Sequence, residues 1–238
     1  MTQQMHRTPA QGKIEDRAVR IPVGREAIEG GLSVPEHARG IVLFAHGSGS
    51  SRHSPRNRHV AHLLNQATLA TLLVDLLTPI EEALDQQAGE LRFDIGLLTE
   101  RLVGATDWLA QQPDTRRLRV GYFGASTGAA AALVAAGMRA DAVGAVVSRG
   151  GRPDLAGPAL ARVRAPTLLI VGGNDFEVLE LNRVAFAQLR GEKQLAIVPG
   201  ATHLFEEPGA LDEVARVARQ WFERHLAPTG ERGSQTKA

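Results

Sequence analysis

Five short runs along the chain are apolar almost throughout, and the segments between them have the spacing of amphipathic helices. The runs read IVLFA, TLLVD, VGYFG, AVGAVVS and TLLIV. A strand that is apolar on both faces must be covered on both faces, as parallel strands are in α/β proteins. The pattern therefore predicts a mostly parallel sheet with helices on both sides.

The same periodicity predicts about eight strands in all, and the first two precede any helix. We expect these two to pair antiparallel at one edge of the sheet. The predicted strands are Ala18–Val23, Ala27–Ser33, Ile41–His46, Thr71–Asp75, Arg119–Phe123, Ala142–Ser148, Thr167–Val171 and Gln194–Val198. The predicted helices are Asn57–Thr68, Phe93–Gln111, Ser126–Met138, Glu177–Leu189 and Leu211–Leu226.

Both ends of the chain and one internal segment lack this regularity. We expect residues 1–15 and 228–238 to be flexible, and residues 16–227 to form a single domain. The segment Leu76–Leu91 follows a strand, on the side where sites form in such sheets. It has two interpretations: a polar connection with one helical turn, or a flap over a pocket.

Composition narrows the possible functions. The formal net charge is +1, which gives no support to binding nucleic acid or an anionic membrane. No apolar run approaches the length of a membrane span, and the polar start has no signal-peptide pattern, so we expect a cytoplasmic protein. Cysteine is absent, which excludes disulfides, thiolate metal sites and a cysteine nucleophile.

The strongest chemical signal is the pentapeptide Gly124-Ala125-Ser126-Thr127-Gly128, which fits the pattern G-x-S-x-G. It follows the strand RVGYF and opens an alanine-rich helix, the strand–turn–helix context that a nucleophile elbow requires. The helix N-terminus would favour negative charge developing beside the serine. The alternative is a glycine-rich turn in which Ser126 caps the helix.

A serine nucleophile needs a base and an orienting carboxylate. His203 follows the strand QLAIV, and Asp175 follows TLLIV after two glycines that permit a tight exit. Asp154 and Glu177 are rival carboxylates, helix capping is the alternative role of Asp175, and His203 can be read as an ordinary loop histidine. Other histidines lie in the chain start or within predicted helices, namely His6, His59, His62 and His225.

A fourth element is the turn His46-Gly47-Ser48-Gly49, directly after IVLFA. Such a turn can aim a backbone N–H at a carbonyl oxygen that becomes anionic. The alternatives are a solvent-exposed turn or a phosphate cradle, although neither G-x-x-x-x-G-K-[ST] nor G-x-G-x-x-G occurs in the chain. All four elements follow strands, in the order turn, Ser, Asp, His, which is that of the α/β-hydrolase triad.

The chain resembles the α/β-hydrolase superfamily over roughly residues 18–226, and within it the dienelactone hydrolase-like branch. The resemblance rests on FAHGSGSSRHSPRNR, VGYFGASTGAAAAL, IVGGNDFEV and GATHLFEEPGAL. It implies an α/β-hydrolase fold with Ser126 as nucleophile, Asp175 as acid and His203 as base. It also implies that the backbone N–H groups of Ser48 and Thr127 form the oxyanion hole.

One departure from the family bears on the substrate. Dienelactone hydrolases proper use a cysteine nucleophile, and this chain has Ser126 in its place, which argues against dienelactone as the substrate. The connection between Ser148 and Thr167 is too short for a large cap domain. A lipase that is activated at an interface is therefore not expected.

These observations predict a serine hydrolase of small carboxylic esters, with lactones and thioesters as related substrates. We expect a small-molecule partner, no metal or cofactor, and a monomer or homodimer. The alternatives are a peptidase or acyltransferase on the same triad, or a non-catalytic binding protein with this fold. Residues predicted to contact the substrate are His46, Gly47, Arg52 and Arg149. The alternative for the arginines is a solvated or ion-paired role in loops.

Overall fold

A computed structural model describes residues 13–227 of the chain. Most of the start that we expect to be flexible, and the whole of the predicted tail 228–238, lie outside the described residues. The first strand begins at Ile14, four residues before its predicted start, so it includes the end of the segment 1–15.

Within residues 13–227, eight strands form one sheet in the order β1-β2-β4-β3-β5-β6-β7-β8. As predicted, β1 and β2 are antiparallel at one edge, and β2 also runs antiparallel to β4. The remaining neighbours are parallel. The strands are β1 Ile14–Val23, β2 Glu26–Pro35, β3 Gly40–Ala45, β4 Leu69–Val74, β5 Val120–Ala125, β6 Val143–Arg149, β7 Thr167–Gly172 and β8 Lys193–Val198.

Strands β3 to β7 are buried on both sides because helices cover both faces of the sheet. Apolar residues of α3, α4 and α5 pack on one face, and those of α1 and α6 pack on the other. The helices are α1 Pro55–Gln66, α2 Pro79–Ala88, α3 Ile95–Leu109, α4 Thr127–Met138, α5 Phe176–Gln188 and α6 Ala210–Leu226. Among the described residues, no helix is both long enough and apolar enough to cross a membrane.

The structure corrects one of the two interpretations of the segment Leu76–Leu91. It contains the ten-residue helix α2, not a connection with one helical turn. The signals for this helix were present: Thr78 and Glu81 form a reciprocal capping box, Pro79 occupies the first turn, and Gly89 ends the helix in the left-handed conformation. Helix α2 has no apolar periodicity that would reveal it, because its buried residue is the polar Asp85.

The connection between β6 and β7 holds 3₁₀ turns over Pro153–Arg162, with a kink at Gly157. This stretch packs on α4, a helix that is apolar and buried nearly all round. The connection therefore covers a core helix. The chain has no inserted cap between these two strands.

Candidate active site

Ser126 occupies a sharp turn between β5 and α4, with φ 49° and ψ −122°. This conformation is strained for a residue other than glycine, and such strain concentrates at functional sites. The flanking glycines make the turn possible by removing side chains. A Cβ atom on Gly124 would lie 2.4 Å from the Cα of Ala129, and one on Gly128 would lie 2.4 Å from the carbonyl oxygen of Ala45. The G-x-S-x-G spacing is thus a packing requirement of this turn.

Asp175 and His203 meet across the ends of β7 and β8. The carboxylate Oδ2 of Asp175 lies 2.7 Å from Nδ1 of His203. Asp175 is at the N-cap position of α5, yet among the described residues its side chain makes no capping bond there. A carboxylate can only accept, so the proton is on Nδ1 and Nε2 is left to accept a proton. The approach of the two loops requires Gly172, where a Cβ would lie 2.4 Å from the carbonyl oxygen of Ala201.

The rival carboxylates are engaged elsewhere. Asp154 binds Arg152 through two hydrogen bonds, of 2.9 and 2.8 Å. Glu177 lies in the first turn of α5 and acts electrostatically on the same arginine. Of the three carboxylates considered from the sequence, Asp175 is the one that contacts His203.

The backbone segment Gly150–Arg152 lies between Ser126 and His203 in space and contacts both residues. The residue before the serine, Ala125, pairs with Arg149 in the sheet, and the N–H of Arg152 donates to the carbonyl oxygen of Ser126 at 3.1 Å. On its other side, a Cβ atom on Gly150 would lie 3.1 Å from the carbonyl oxygen of His203 and 3.6 Å from Nδ1. The Ser126 hydroxyl itself makes no hydrogen bond within residues 13–227, and the side chain is partly exposed.

The two predicted oxyanion donors are neighbours. Thr127 is the first residue of α4, where a backbone N–H has no partner inside the helix. The N–H of Ser48 points at the same helix end but is already used, because it donates to the Thr127 hydroxyl at 3.1 Å. A Cβ on Gly47 would lie 2.9 Å from that of Ser126, so the turn packs directly on the serine.

His46 fixes this turn to the strand beside it. Its Nε2 accepts the N–H of Leu76 at 3.0 Å, so Nδ1 carries the proton and donates to the Gly47 carbonyl at 2.9 Å. Burial lowers the pKa of His46, although the Gly47 carbonyl and the carboxylates of Asp75 and Glu82 oppose that effect. With both nitrogens engaged and only 9% of the residue exposed, His46 holds the turn in place.

The two arginines that we expected to contact substrate are engaged inside the protein. Arg52 forms ion pairs with Asp75 and with Glu29, the latter at 2.7 Å. Arg149 is 7% exposed, donates one long hydrogen bond of 3.5 Å to Asn57, and lies over the ring of Phe205. Burial, and to a lesser extent the charge of Arg56, lowers the pKa of Arg149 to about 10. Both side chains are thus engaged with groups of the protein itself.

A cavity of about 110 Å³ adjoins the turn after β3, and helix α2 forms one of its walls. Its lining residues are Glu29, His46, Ser50, Asp75, Leu77, Pro79 and Glu82. A larger cavity of about 560 Å³ lies between α1 and the strands β1 and β2, and neither Ser126 nor His203 lines it. Within residues 13–227, no group of three or more His, Asp or Glu side chains could hold a metal ion.

Helix α2 is held in place by ion pairs. Glu81 binds Arg101 of α3 at 2.6 Å, and the buried Asp85 binds the side chain and backbone N–H of Arg92. Burial would raise the pKa of Asp85, but these hydrogen bonds outweigh it and the pKa is lowered. These bonds tie α2 to α3 and to Arg92, beside the turn after β3.

Among curated proteins, the chain is similar to two from Mycobacterium tuberculosis, strains CDC 1551 and H37Rv. Each is 59% identical over 220 residues, which is 92% of this chain and 49% of the relative. Both carry the name "putative phosphoribosyl transferase". The chain thus spans about half the length of the curated relatives it matches.

Solved structures match about nine-tenths of this chain and nearly the whole of their own. A dienelactone hydrolase from Anabaena variabilis ATCC 29413 is 62% identical with a TM-score of 0.88, and the match covers 90% of this chain and 99% of that one. A dienelactone hydrolase-like promiscuous phosphotriesterase from metagenomic libraries has the same fold at 19% identity, with a TM-score of 0.74 over 91% and 100% of the two chains. The predicted α/β-hydrolase fold is confirmed.

The sequence model of the dienelactone hydrolase family matches residues 57–227, which include the serine turn, both loops of the Asp175–His203 pair and the helices between them. Together with the 62% identity to a dienelactone hydrolase over nearly the whole of that chain, this confirms the resemblance drawn from the motifs. The chain belongs to the dienelactone hydrolase family.

Proposed function

We propose that this chain is a serine hydrolase that cleaves small carboxylic esters through an acyl-enzyme. The observation that carries the proposal is the strained turn that presents Ser126, one backbone segment away from the hydrogen-bonded Asp175–His203 pair. These are the parts that nucleophilic acyl transfer requires: a nucleophile, a base, and a group that orients the base.

In the proposed reaction, Nε2 of His203 takes the proton from the Ser126 hydroxyl as Oγ attacks the ester carbonyl carbon. Asp175 holds the imidazole in the reactive tautomer and stabilises the imidazolium. His203 then gives the proton to the departing alkoxide, which leaves as an alcohol. Water, deprotonated by the same nitrogen, attacks the acyl-enzyme. The bond from the acyl carbon to Oγ then breaks, His203 returns the proton to Oγ of Ser126, and the carboxylic acid leaves.

The negative charge of the tetrahedral intermediate would be bound by the backbone N–H groups of Thr127 and Ser48. The first is unpaired within its helix, and the second would exchange its bond to the Thr127 hydroxyl for one to the oxyanion. Losing one such donor typically costs about 3–4 kcal/mol in the barrier.

The same site favours short acyl groups. The connection between β6 and β7 inserts no cap that would supply a long apolar groove. The cavity of about 110 Å³ beside the turn after β3, which neither Ser126 nor His203 lines, has three carboxylates in its wall, those of Glu82, Asp75 and Glu29. A buried methylene contributes about 0.8 kcal/mol only where an apolar wall receives it. In a p-nitrophenyl ester series below micelle-forming concentrations, kcat/KM is expected to be highest for acyl chains of roughly two to six carbons. A steady rise through the long chains would contradict a small pocket.

The name of the mycobacterial relatives belongs to proteins of about twice this length, and we do not extend phosphoribosyl transfer to this chain. Peptidase and acyltransferase activity use the same three residues and differ in the leaving group or the acceptor. Amide substrates, and esters supplied with alcohol acceptors, separate these reactions by their products.

The decisive experiment compares the wild type with Ser126→Ala. The wild type should hydrolyse short esters and be labelled at Ser126 by a fluorophosphonate, while the alanine variant should lose at least about 10³-fold in kcat/KM. Unchanged circular dichroism and melting temperature would show that the variant is folded. Turnover in Ser126→Ala within about tenfold of wild type would contradict the covalent mechanism.

A further inference from the structure

Helix α5 carries a fully buried amide that contacts the segment between Ser126 and His203. Asn182 is 0% exposed, and its side-chain nitrogen donates to the carbonyl oxygen of Gly151 at 3.0 Å and to that of Val178 at 2.8 Å. Gly151 is the middle residue of the segment Gly150–Arg152.

This segment is closely packed at Gly151. A Cβ atom on Gly151 would lie 2.0 Å from the hydroxyl oxygen of Ser148 and 2.6 Å from the Cβ of Ala129. The residue is therefore pressed against β6 and α4, and the Asn182 amide holds its carbonyl from the third side. A displacement at Gly151 would move the N–H of Arg152, which binds the Ser126 carbonyl.

Stability alone does not explain this asparagine. In the described part of the chain its Oδ1 is buried without a hydrogen-bond partner, and an unpaired buried acceptor costs free energy of folding. Among the described residues, its one tertiary hydrogen bond is that to Gly151, since Val178 belongs to the same helix. The unpaired oxygen of Asn182 thus lowers the stability of the fold, while its nitrogen holds the Gly151 carbonyl in place.

The same helix also carries Asp175, seven residues earlier and therefore about two turns away on the same face. One end of α5 orients His203, and its middle holds the segment that binds the serine turn. We propose that Asn182 is a positioning residue of the proposed hydrolase: through Gly151 it sets Ser126 relative to His203. The inference rests on the proposed function.

A matched control exists in α1. Asn65 is also buried, at 8% exposed, and its side-chain nitrogen likewise donates two hydrogen bonds, to the Leu69 carbonyl at 3.0 Å and to the Thr71 hydroxyl at 3.1 Å. Those bonds join α1 to β4 and involve none of the proposed catalytic groups. An effect that comes only from losing a buried amide should therefore be the same at both positions.

The experiment replaces each asparagine by Leu and by Ser. A Leu side chain is of similar size and cannot donate, and a Ser hydroxyl in a helix bonds the carbonyl four residues earlier. Melting temperature, kcat, KM and the rate of Ser126 phosphonylation by a fluorophosphonate are measured where each variant is folded. Both Asn182 variants should lose about 30- to 100-fold in kcat and in phosphonylation rate, with KM within about twofold, because a misplacement of 1 Å can cost about 10²-fold. The Asn65 variants should stay within about threefold of wild type in all rates.

The pH profile supplies a second readout. Asp175 and His203 remain paired in the Asn182 variants, so the acid limb of kcat/KM should keep its position while its height falls. Equal losses at Asn65 and Asn182, a shifted acid limb, or failure of both Asn182 variants to fold would each overturn the positioning role. A wild type that neither hydrolyses esters nor reacts with the fluorophosphonate would overturn the proposed function, and the inference with it.

Discussion

The loops after β5, β6, β7 and β8 are joined to one another largely by backbone groups, whereas the loops after β3 and β4 are joined by side chains. On the first side, the Arg152 N–H binds the Ser126 carbonyl, and Gly150 lies against His203. On the second side, His46 binds the Leu76 N–H, and Arg52 pairs with Asp75.

We expect the first side to determine whether the reaction occurs and the second side to determine which substrate is bound. Backbone hydrogen bonds and glycine contacts, together with the Asp175 carboxylate and the Asn182 amide, hold the proposed nucleophile and base in one geometry. The side-chain bonds after β3 and β4 border the cavity beside the oxyanion turn. Substitutions there should change which ester is cleaved, and substitutions around Ser126 should change whether any ester is cleaved.

The largest effect on this comparison is expected from replacing the proposed acid, Asp175, on the side that is joined by backbone groups. Asp175→Asn should lower kcat/KM about 10²- to 10⁴-fold, because an amide facing Nδ1 favours the wrong imidazole tautomer. Asp154→Asn is the matched control and should stay within about threefold, since its carboxylate binds only a half-exposed arginine. Steady-state kinetics on a short ester checks both. A crippled Asp154 variant beside a mild Asp175 variant would reverse the assignment of the acid.

The contact between the two sides can be tested through Thr127, whose hydroxyl accepts the Ser48 N–H. Thr127→Val removes the acceptor and should lower kcat about tenfold, because the turn that carries one oxyanion donor is no longer held. Thr127→Ser keeps a hydroxyl and should remain near wild type. A rise in kcat for the valine variant would show that the hydroxyl competes with the oxyanion for this N–H.

The smallest effect is expected in stability, at His46. Its pKa is lowered by burial, so the neutral ring stabilises the folded state fully above the unfolded pKa of about 6.5, and this contribution is lost as the pH falls toward the lowered value. His46→Gln should cost about 1–2 kcal/mol in the free energy of unfolding at pH 8, because two hydrogen bonds are disturbed.

The difference between wild type and His46→Gln should shrink as the pH is lowered from 7 to 5, since only the wild type has this titrating ring. Urea denaturation at a series of pH values measures it. A difference that is constant across this range would mean that His46 titrates alike in the folded and unfolded chains.

Much of the fold could be predicted because its signals are local. Each apolar run became a strand, and the two early strands became the antiparallel edge. The exception, α2, shows where a periodicity rule fails. Its helix is specified by its ends, Thr78 with Glu81 and then Gly89, and not by an apolar face.

The site was predictable to a different degree at each residue. Gly124 and Gly128 could be interpreted from the spacing alone, because the packing of a helix on a strand demands small residues there. The partner of His203 could not be chosen with certainty, since Asp154 and Asp175 both follow strands of the same sheet edge. The internal ion pairs of Arg52 could not be predicted either, because Asp75 follows β4 and Glu29 lies in β2, both far from Arg52 in the sequence.

The sequence by itself determined the number of strands, the serine turn and the sheet edge at which the site forms, because periodicity and steric limits act over a few neighbouring residues. Tertiary structure decided the pairings between loops: Asp175 with His203, Ser48 with Thr127, and Asn182 with Gly151. These pairings depend on strand order, in which β3 lies between β4 and β5, and on how helices seat against the sheet. Such long-range geometry comes from packing the whole core, which no local pattern encodes.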